Sequence, residues 1–314
     1  LEGKKVRIVF PEAYDERVLE AAVKLSATSY VQPVLVGKKE KVEELAQPLF
    51  LNVSGIEFVD HENYEKYDEM VAKFVERRAG KVNEEKAREL LQDVNYFGTM
   101  LVYLGEVEGL VSGAIHSTGD TVRPALQIIK TKPGVSRTSG AFIMSRNASR
   151  FIFADCAINT SIDAQGLAEI AVESAKTAKA FNINPKVAML SFSTYGSAKT
   201  EETLKVAEAT RLVREKAPTL PVGGEMQFDA AYVPPVAKLK APNSEIQGDA
   251  NVFVFPSLEA GNIGYKIAER LGGFEAVGPI LQGLNAPVND LSRGCSSIDV
   301  LKLALITAVQ ALEK

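Results

Sequence analysis

Residues 4–36 read KKVRIVF-PEAY-DERVLEAAVKLS-ATSY-VQPVLV, and this stretch decides the class of fold. Its first run, Lys4–Phe10, is rich in β-branched residues and predicts a strand. Asp15 then opens a segment with apolar residues at positions 18, 19, 22 and 25, the spacing of one helix face. Val31–Val36 is a second short strand. A strand, a helix and a strand in this order are typical of a parallel sheet covered by helices.

The same alternation continues to the end of the chain. Further predicted strands are Ile56–Val59, Gly109–Ile115, Phe151–Ile158, Val187–Phe192, Asn251–Phe255 and Ala276–Leu281. Further predicted helices include Tyr67–Arg78, Glu84–Gln92, Ala164–Phe181, Glu201–Lys216 and the apolar final segment Ile298–Leu312. The polar stretch Ser145–Arg150 (SRNASR) is the best candidate for a linker, which places a domain boundary near the middle of the chain.

The bulk composition excludes several classes of protein. The chain has 314 residues, which predicts two domains or one large α/β barrel, and its net charge is −4. It has no basic excess to neutralise the phosphates of a duplex, so we expect no nucleic-acid partner. No apolar run approaches the ~18 residues of a membrane helix, and no signal pattern opens the chain. With only two widely separated cysteines, Cys156 and Cys295, we expect a cytoplasmic protein with reduced thiols and no structural zinc.

Several standard motifs are missing from the sequence. It contains no GxxxxGK[ST] phosphate loop, no GxGxxG dinucleotide fingerprint, no HExxH and no GxSxG. The chemistry must then come from loops that follow strands, where open α/β sheets place their ligands.

The first such loop lies in Ser112–Gln127, SGAIHSTGDTVRPALQ. Ser117, Thr118 and Arg123 lie at the start of a predicted helix, where hydroxyls, backbone N–H groups and a guanidinium suit a phosphate. Ordinary helix capping explains Ser and Thr here equally well. His116 alone is more typical of a packed or rim histidine than of a general base.

Two further loops lie in the second half. SFSTYGS at Ser191–Ser197 follows a predicted strand and favours contact with a ligand, or is a tight connection. In EAGNIGY at Glu259–Tyr265, Gly261 and Asn262 either approach a ligand or cap the next helix.

The sharpest segment is Asn289–Asp299, NDLSRGCSSID. Ser292 and Arg293 in a loop before a helix suit an oxyanion or a phosphate, since the guanidinium fork matches phosphate oxygens. Asp299 is either a catalytic carboxylate or only the acidic member of a capping box begun by Ser296. Arg78, beside another arginine, is either a solvated helix end or a ligand for nucleotide phosphates.

At these loops the sequence resembles the phosphate acetyltransferases, also called phosphotransacetylases. The matching segments are FPEAYDERVLEAA from Phe10, SGAIHSTGDTVRPALQIIKT from Ser112, ADCAIN from Ala154, LAEIAVESAKTAKAF, LSFSTYGSAK, VFVFPSLEAGNIGYKIAERLGG and GPILQGLNAPVNDLSRGCS. They span nearly the whole chain in order. Phosphate butyryltransferases and the C-terminal part of some malic enzymes resemble it less fully.

The resemblance implies a fold similar to isocitrate and isopropylmalate dehydrogenases, with two α/β domains, mainly parallel sheets and an interdomain cleft. It implies that the C-terminal helix returns to the first domain. We therefore expect one domain from residues 1–147 and 295–314 and another from residues 148–294. It also implies a homodimer.

The implied reaction is the reversible conversion of acetyl-CoA and phosphate into acetyl phosphate and CoA. Coenzyme A is a substrate, and no metal or cofactor takes part. By resemblance Asp299 is the base for the thiol, Ser292 contacts the thiol or the oxyanion, and Arg293 binds the phosphoryl group. Ser117, Thr118 and Arg123 would hold phosphate and Arg78 the CoA phosphates, with Gly261 and Asn262 also at the substrate. No acyl-enzyme is required, because two bound substrates can react directly.

Three other readings compete with this one. A dehydrogenase on the same fold would need a nicotinamide site and a cluster of metal-binding aspartates. A non-catalytic domain that senses acetyl-CoA would not need Ser292, Arg293 and Asp299. A phosphate butyryltransferase would differ in the size of its acyl pocket.

Overall fold

The computed structural model of the protein describes residues 5–312, which form two compact units. The first comprises the described residues up to 132 and those from 284 onward, and the second comprises residues 133–283. The strands are β1 Val6–Phe10, β2 Val31–Val36, β3 Glu57–Val59, β4 Gly109–Ser112, β5 Ser139–Arg146, β6 Ser149–Ala154, β7 Val187–Leu190, β8 Val222–Met226, β9 Val252–Val254, β10 Glu275–Gln282 and β11 Val288–Asp290.

The helices cover the intervals between most strands. They are α1 Glu16–Ser26, α2 Lys39–Ala46, α3 Tyr67–Arg78, α4 Glu84–Leu90, α5 Val94–Tyr103, α6 Thr118–Pro124, α7 Ala164–Ala180, α8 Glu201–Lys216, α9 Phe228–Tyr232, α10 Pro234–Lys240, α11 Leu258–Arg270 and α12 Ser297–Leu312. Residues Ala125–Ile129 continue α6 as one π-helical turn. Among residues 5–312, no helix has the length and apolar character needed to span a bilayer.

The first unit contains a five-stranded sheet in the order β11-β4-β1-β2-β3. Every neighbouring pair in it is parallel. The chain leaves β1 towards β2 and β3 on one side, then fills β4 and β11 on the other. The strand order therefore reverses at β1 and β4, and open α/β sheets bind ligands beyond the carboxyl ends of strands at such a point.

The second unit contains a six-stranded sheet in the order β10-β5-β6-β9-β7-β8. Strands β6, β9, β7 and β8 pair in parallel, whereas β10, β5 and β6 pair antiparallel. The prediction of two α/β units with mainly parallel sheets is thus confirmed.

The predicted linker at Ser145–Arg150 is wrong. Arg146 pairs with Ser149 across a tight hairpin between β5 and β6, and Asn147 takes the left-handed conformation with φ 55°. The stretch is polar because it is the exposed end of a hairpin. The chain instead passes between units near residues 132 and 283, not at 147 and 294 as expected.

The C-terminal segment of the first unit begins at residue 284, earlier than the expected residue 295, because β11 pairs with β4 of the first sheet. At three residues, β11 is too short to show a strand pattern in the sequence. The final helix α12 follows it and lies in the same unit. There Thr307 of α12 accepts a 2.8 Å hydrogen bond from the Asn289 side chain of β11.

Local sequence explains most of the other elements. The Asp15 carboxylate caps α1 by accepting from the backbone N–H groups of Arg17 and Val18, and α1 buries the apolar face read from its spacing. The strand predicted to reach Ile115 stops at Ser112, because Gly113 has φ 112°. β8, with sequence VGGEM, was not predicted, since its two glycines hide a strand pattern.

Candidate active site

Three strands of the first sheet end side by side, at Phe10 of β1, Ser112 of β4 and Asp290 of β11. Ser112 and Asp290 are register partners. The segment after each strand carries residues that the sequence singles out. Three further residues join those segments, as the following contacts show.

Glu12, in the segment after β1, holds the loop after β4. Its buried carboxylate accepts hydrogen bonds from the backbone N–H groups of Gly113, Ala114, Ile115 and His116, at 2.8–3.1 Å. The His116 ring Nδ1 lies 2.8 Å from the same carboxylate. Since both carboxylate oxygens are occupied in this way, Glu12 fixes the loop and His116 at once.

Arg17 joins this loop to the one after β11. Its guanidinium donates to the Asp15 carboxylate at 2.8 Å and to the Ala114 carbonyl at 2.8 Å. It also donates to the carbonyls of Arg293 at 2.8 Å and Cys295 at 3.1 Å. One planar side chain therefore ties the segments after all three strands together.

Asp290, the last residue of β11, is the third joining residue and is only 1% exposed. Its Oδ2 accepts a 2.7 Å hydrogen bond from the Thr118 hydroxyl. Its Oδ1 lies against the Gly113 backbone, where an added Cβ would be 2.5 Å away. Burial raises the pKa of Asp290 to about 6, a shift that the charge of Glu12 adds to and the hydroxyls of Thr118 and Thr121 oppose.

The start of α6 gathers the residues predicted to hold phosphate. The Ser117 hydroxyl and Asp120 form a capping box, with the hydroxyl 2.7 Å from the carboxylate. Arg123 folds back over this turn. A Cβ placed on Gly119 would lie 3.9 Å from the Arg123 Nη2 and 3.7 Å from the Ser117 hydroxyl, so both groups lie close to Gly119. Thr118 and Arg123 are both exposed, so their polar groups are open to a ligand.

The segment after β11 carries the three predicted catalytic residues. Ser292 and Arg293 are exposed, and the Ser292 hydroxyl accepts a 3.3 Å hydrogen bond from the Gly294 N–H. Asp299, in the first turn of α12, accepts from the Ser296 N–H and hydroxyl, both at 2.8 Å. The capping role read from the sequence is therefore present, and it leaves the other oxygen of the Asp299 carboxylate available.

Arg78 lies at the end of α3 within a group of four cations. It donates to the Gln127 carbonyl at 3.1 Å, and Arg77 donates to the next two carbonyls, so both cap the π-helical turn. The positive charge of Arg77, followed by burial and the charges of Arg78 and Lys81, lowers the pKa of Lys130. This cluster therefore has a positive potential that an anion would relieve.

Tyr96 links that cluster to the start of α6. Its hydroxyl donates a 3.0 Å hydrogen bond to the Gln127 side chain. Burial raises the pKa of Tyr96, while the positive charges of Arg123 and Arg78 oppose the rise. Arg123 and Arg78, which come from separate parts of the sequence, thus both influence the pKa of the Tyr96 hydroxyl.

Gly261 and Asn262 lie in the second unit, near the start of α11. Asn262 donates to the Cys156 carbonyl at 3.0 Å and accepts from Lys266 at 2.8 Å. A Cβ on Gly261 would collide with the Asp155 carbonyl oxygen, so a residue without a side chain is required there. Their contact with a substrate stays a prediction.

Glu12, Arg17 and Asp290 lie within the segments that match the family, but the sequence predicts no role for them. A carboxylate one or two residues beyond a strand, or at its end, is a weak signal that could have marked Glu12 and Asp290. Within residues 5–312, no group of three or more His, Cys, Asp or Glu residues could hold a metal ion.

Known proteins of one family are similar to this chain along nearly its whole length. The family model described as phosphate acetyl/butaryl transferase matches residues 1–308. The phosphate acetyltransferase of Bacillus subtilis is 64% identical over 310 residues, covering 99% of this chain and 96% of that protein.

Two solved structures have the same architecture. The EutD phosphotransacetylase from Staphylococcus aureus has a TM-score of 0.95 and 64% identity, covering 99% of this chain and 96% of that one. A phosphotransacetylase from Streptococcus pyogenes has a TM-score of 0.97 and 56% identity, covering 99% and 95%. This chain therefore belongs to the phosphate acetyl/butaryl transferase family.

Proposed function

We propose that this protein catalyses the reversible transfer of an acetyl group between coenzyme A and phosphate. The observation that carries the proposal is the joining of the Ser117–Arg123 segment to the Ser292–Asp299 segment at the switch point of one sheet. The segment with hydroxyls and a guanidinium suited to phosphate is thereby joined to the segment that carries Asp299, a carboxylate suited to a thiol.

In the direction of acetyl-CoA synthesis, Asp299 removes the proton of the CoA thiol. The thiolate attacks the acetyl carbonyl carbon of acetyl phosphate. The Arg293 guanidinium and the Ser292 hydroxyl stabilise the negative charge that develops on the carbonyl oxygen and the phosphoryl group. The carbon–oxygen bond then breaks, so phosphate leaves while the carbon–sulfur bond of acetyl-CoA is complete.

The two cysteines argue against an acyl-enzyme. Burial raises the pKa of the Cys295 thiol, although the charge of Arg17 opposes the rise. Burial also raises the pKa of Cys156 well above its usual value. Because a protonated thiol is a poor nucleophile, direct transfer between the bound substrates is the simpler route.

The cluster of Arg77, Arg78, Lys81 and Lys130 supports the binding of the CoA phosphates. The positive charges of Arg77, Arg78 and Lys81 lower the pKa of Lys130, so the four cations repel one another. A multiply charged anion would remove that repulsion. We extend the proposal to a homodimer, which the family resemblance implies, and to the cytoplasm, which the two widely separated cysteines favour.

The direct test mixes the purified protein with acetyl phosphate and CoA and follows thioester formation by ultraviolet absorbance. We expect rapid formation, and reversal when phosphate or arsenate is added in excess. Butyryl phosphate in a parallel reaction measures the acyl range. Binding of acetyl-CoA without thioester formation would replace this proposal with the sensing domain.

A matched pair of variants separates the two roles of Asp299. Ser296→Ala removes the capping partner and leaves the carboxylate, whereas Asp299→Asn keeps most of the cap and removes the base. We expect turnover to fall by about 100-fold in Asp299→Asn and by less than about twofold in Ser296→Ala. Equal turnover in the two variants would make Asp299 a structural residue.

A further inference from the structure

Among the described residues of the first unit, Glu12 and Asp290 are the buried carboxylates, and Asp290 has far fewer hydrogen-bond donors to stabilise its charge. Glu12 accepts five contacts, four of them from backbone N–H groups. Asp290 accepts one hydrogen bond, from the Thr118 hydroxyl. The Thr121 hydroxyl faces the carboxyl without reaching hydrogen-bonding geometry. A buried carboxylate with one neutral donor is costly in its charged form.

The hydrogen bond from Thr118 has a consequence for a ligand. A threonine hydroxyl has one proton and two lone pairs. While that proton points at an ionised Asp290, the hydroxyl presents only lone pairs to the exposed side of the turn. Phosphate oxygens are acceptors, so Thr118 in this state repels the group that it was predicted to bind.

Protonation of Asp290 reverses the direction of this hydrogen bond. The carboxyl then donates to the Thr118 oxygen over the same 2.7 Å distance. The Thr118 proton is free to turn to a phosphate oxygen. No heavy atom needs to move, since only the two protons change position.

We propose that Asp290 is a positioning residue whose carboxyl takes up one proton from solvent when a phosphate group binds beside Thr118. The proton fixes the Thr118 hydroxyl as a donor to that group. This inference rests on the proposed function, because it takes phosphate to bind at Ser117, Thr118 and Arg123.

The surroundings of Asp290 fit a carboxyl that becomes neutral. The segment after β1 contributes Glu12, whose negative charge disfavours ionisation, and α6 contributes the neutral hydroxyls of Thr118 and Thr121. Strand β4 contributes its register partner Ser112. With its pKa raised to about 6, Asp290 is mostly ionised at pH 7 before a ligand binds and can therefore take up a proton.

The test uses sulfate as the probe, because sulfate stays a dianion across the working pH and contributes no protons of its own. Its binding is measured by calorimetry in buffers of different ionisation enthalpy, which reports the protons taken up per sulfate bound. We expect about 0.9 proton at pH 7 in the unmodified protein. We also expect affinity to fall by up to about tenfold per pH unit between pH 6.5 and 8.

Three variants make the test specific. In Asp290→Asn the amide donates permanently to Thr118, so we expect no proton uptake and an affinity that does not depend on pH. In Thr118→Val we expect no uptake and affinity lower by about tenfold. Arg123→Gln is the control, since it weakens sulfate binding and should leave the uptake per bound sulfate unchanged.

The outcomes separate this inference from the proposed function. Absence of uptake in the unmodified protein, or equal uptake in Asp290→Asn, would overturn the role of Asp290 even in an active enzyme. If Asp290→Asn does not fold, the Thr118→Val variant decides the question. Proton uptake on sulfate binding that is retained in Thr118→Val would overturn the role of Asp290. A chain that shows the uptake but forms no thioester would keep the proton-linked anion site and lose acetyl transfer.

Discussion

Two loops of this protein, one in each unit, are folded around a buried carboxylate by different routes. The loop of residues 113–116 donates four backbone N–H groups to Glu12, which lies about one hundred positions earlier in the chain. The loop of residues 157–159 donates three to Asp155, at most four positions away. The Asn159 side chain adds another bond to Asp155.

The difference lies in what each carboxylate joins. Asp155 shapes its own turn, as Asp and Asn commonly do in loops, and also accepts from Gly140 of the neighbouring strand. Glu12 instead joins the ends of two strands at the point where the sheet order reverses. A local turn such as that at Asp155 can form even when its acceptor is weaker. The contact of Glu12 with residues 113–116 depends on the tertiary fold, so the two sites should respond differently when the carboxylate charge is removed.

The largest effect is expected from Glu12→Gln. The amide offers one acceptor oxygen and points two donors at N–H groups, so we expect a loss of about 4 kcal/mol in the free energy of unfolding. We also expect turnover to fall by at least about 100-fold, because the loop before Ser117 loses its support. Urea unfolding and the thioester assay measure both. Unchanged turnover in a folded variant would show that the loop does not position the substrate.

The next effect concerns Asp290, a buried carboxylate that accepts a single hydrogen bond. Its pKa is raised from the usual 3.8 to about 6, so the folded protein binds this proton more tightly than the unfolded chain does. The stability that it contributes is therefore fully present below about pH 4 and is lost as pH rises through about 6. We expect about 2.5 kcal/mol more loss between pH 4 and 7 in the unmodified protein than in Asp290→Asn. The free energy of unfolding is measured with urea at each pH. If it changes with pH equally in the unmodified protein and in Asp290→Asn, this expectation is wrong.

A smaller effect is expected from Asp155→Asn, the counterpart of Glu12→Gln. The remaining amide oxygen can still accept from the N–H groups of Ala157 and Ile158 in a local turn. We expect a loss of about 2 kcal/mol in unfolding free energy and a fall in turnover of less than about tenfold. If this variant loses as much turnover as Glu12→Gln, the proposed contrast between local and long-range carboxylates is incorrect.

The smallest loss of stability is expected from Arg17→Met, which keeps the length of the side chain and removes its donors. The loops after β4 and β11 would lose their shared bridge, at a cost of about 1 kcal/mol in unfolding free energy because the site is half-exposed. We expect turnover to fall by about tenfold while the affinity for CoA changes little. Lys24→Met, on the same helix but in an exposed ion pair, is the matched control and should leave turnover unchanged.

Local patterns were sufficient for most of the elements that build the sheets. The strand Val31–Val36 and the helices Tyr67–Arg78 and Glu201–Lys216 have the bounds predicted from periodicity. The capping of α1 by Asp15, of α5 by Asp93 and of α12 through Asp299 also follows from residues close in sequence. These features depend on interactions within a few positions, which a sequence records directly.

The division into units could not be predicted in the same way. A polar hexapeptide is typical of a linker and equally of an exposed hairpin end, and only the pairing of β5 with β6 distinguishes them. The short strand β11 gives no pattern of its own, and its place beside β4 is fixed by sheet pairing across the chain.

By itself the sequence determined the α/β class, the family and the identity of the residues predicted to bind and react. The tertiary structure decided which of them meet: Ser117 and Thr118 lie near Ser292 and Arg293 because Glu12, Arg17 and Asp290 join three strand ends. Those contacts link residues up to 278 positions apart. Hydrogen bonds over such separations form only after the sheet has brought the strand ends together, so no local pattern of residues can reveal them.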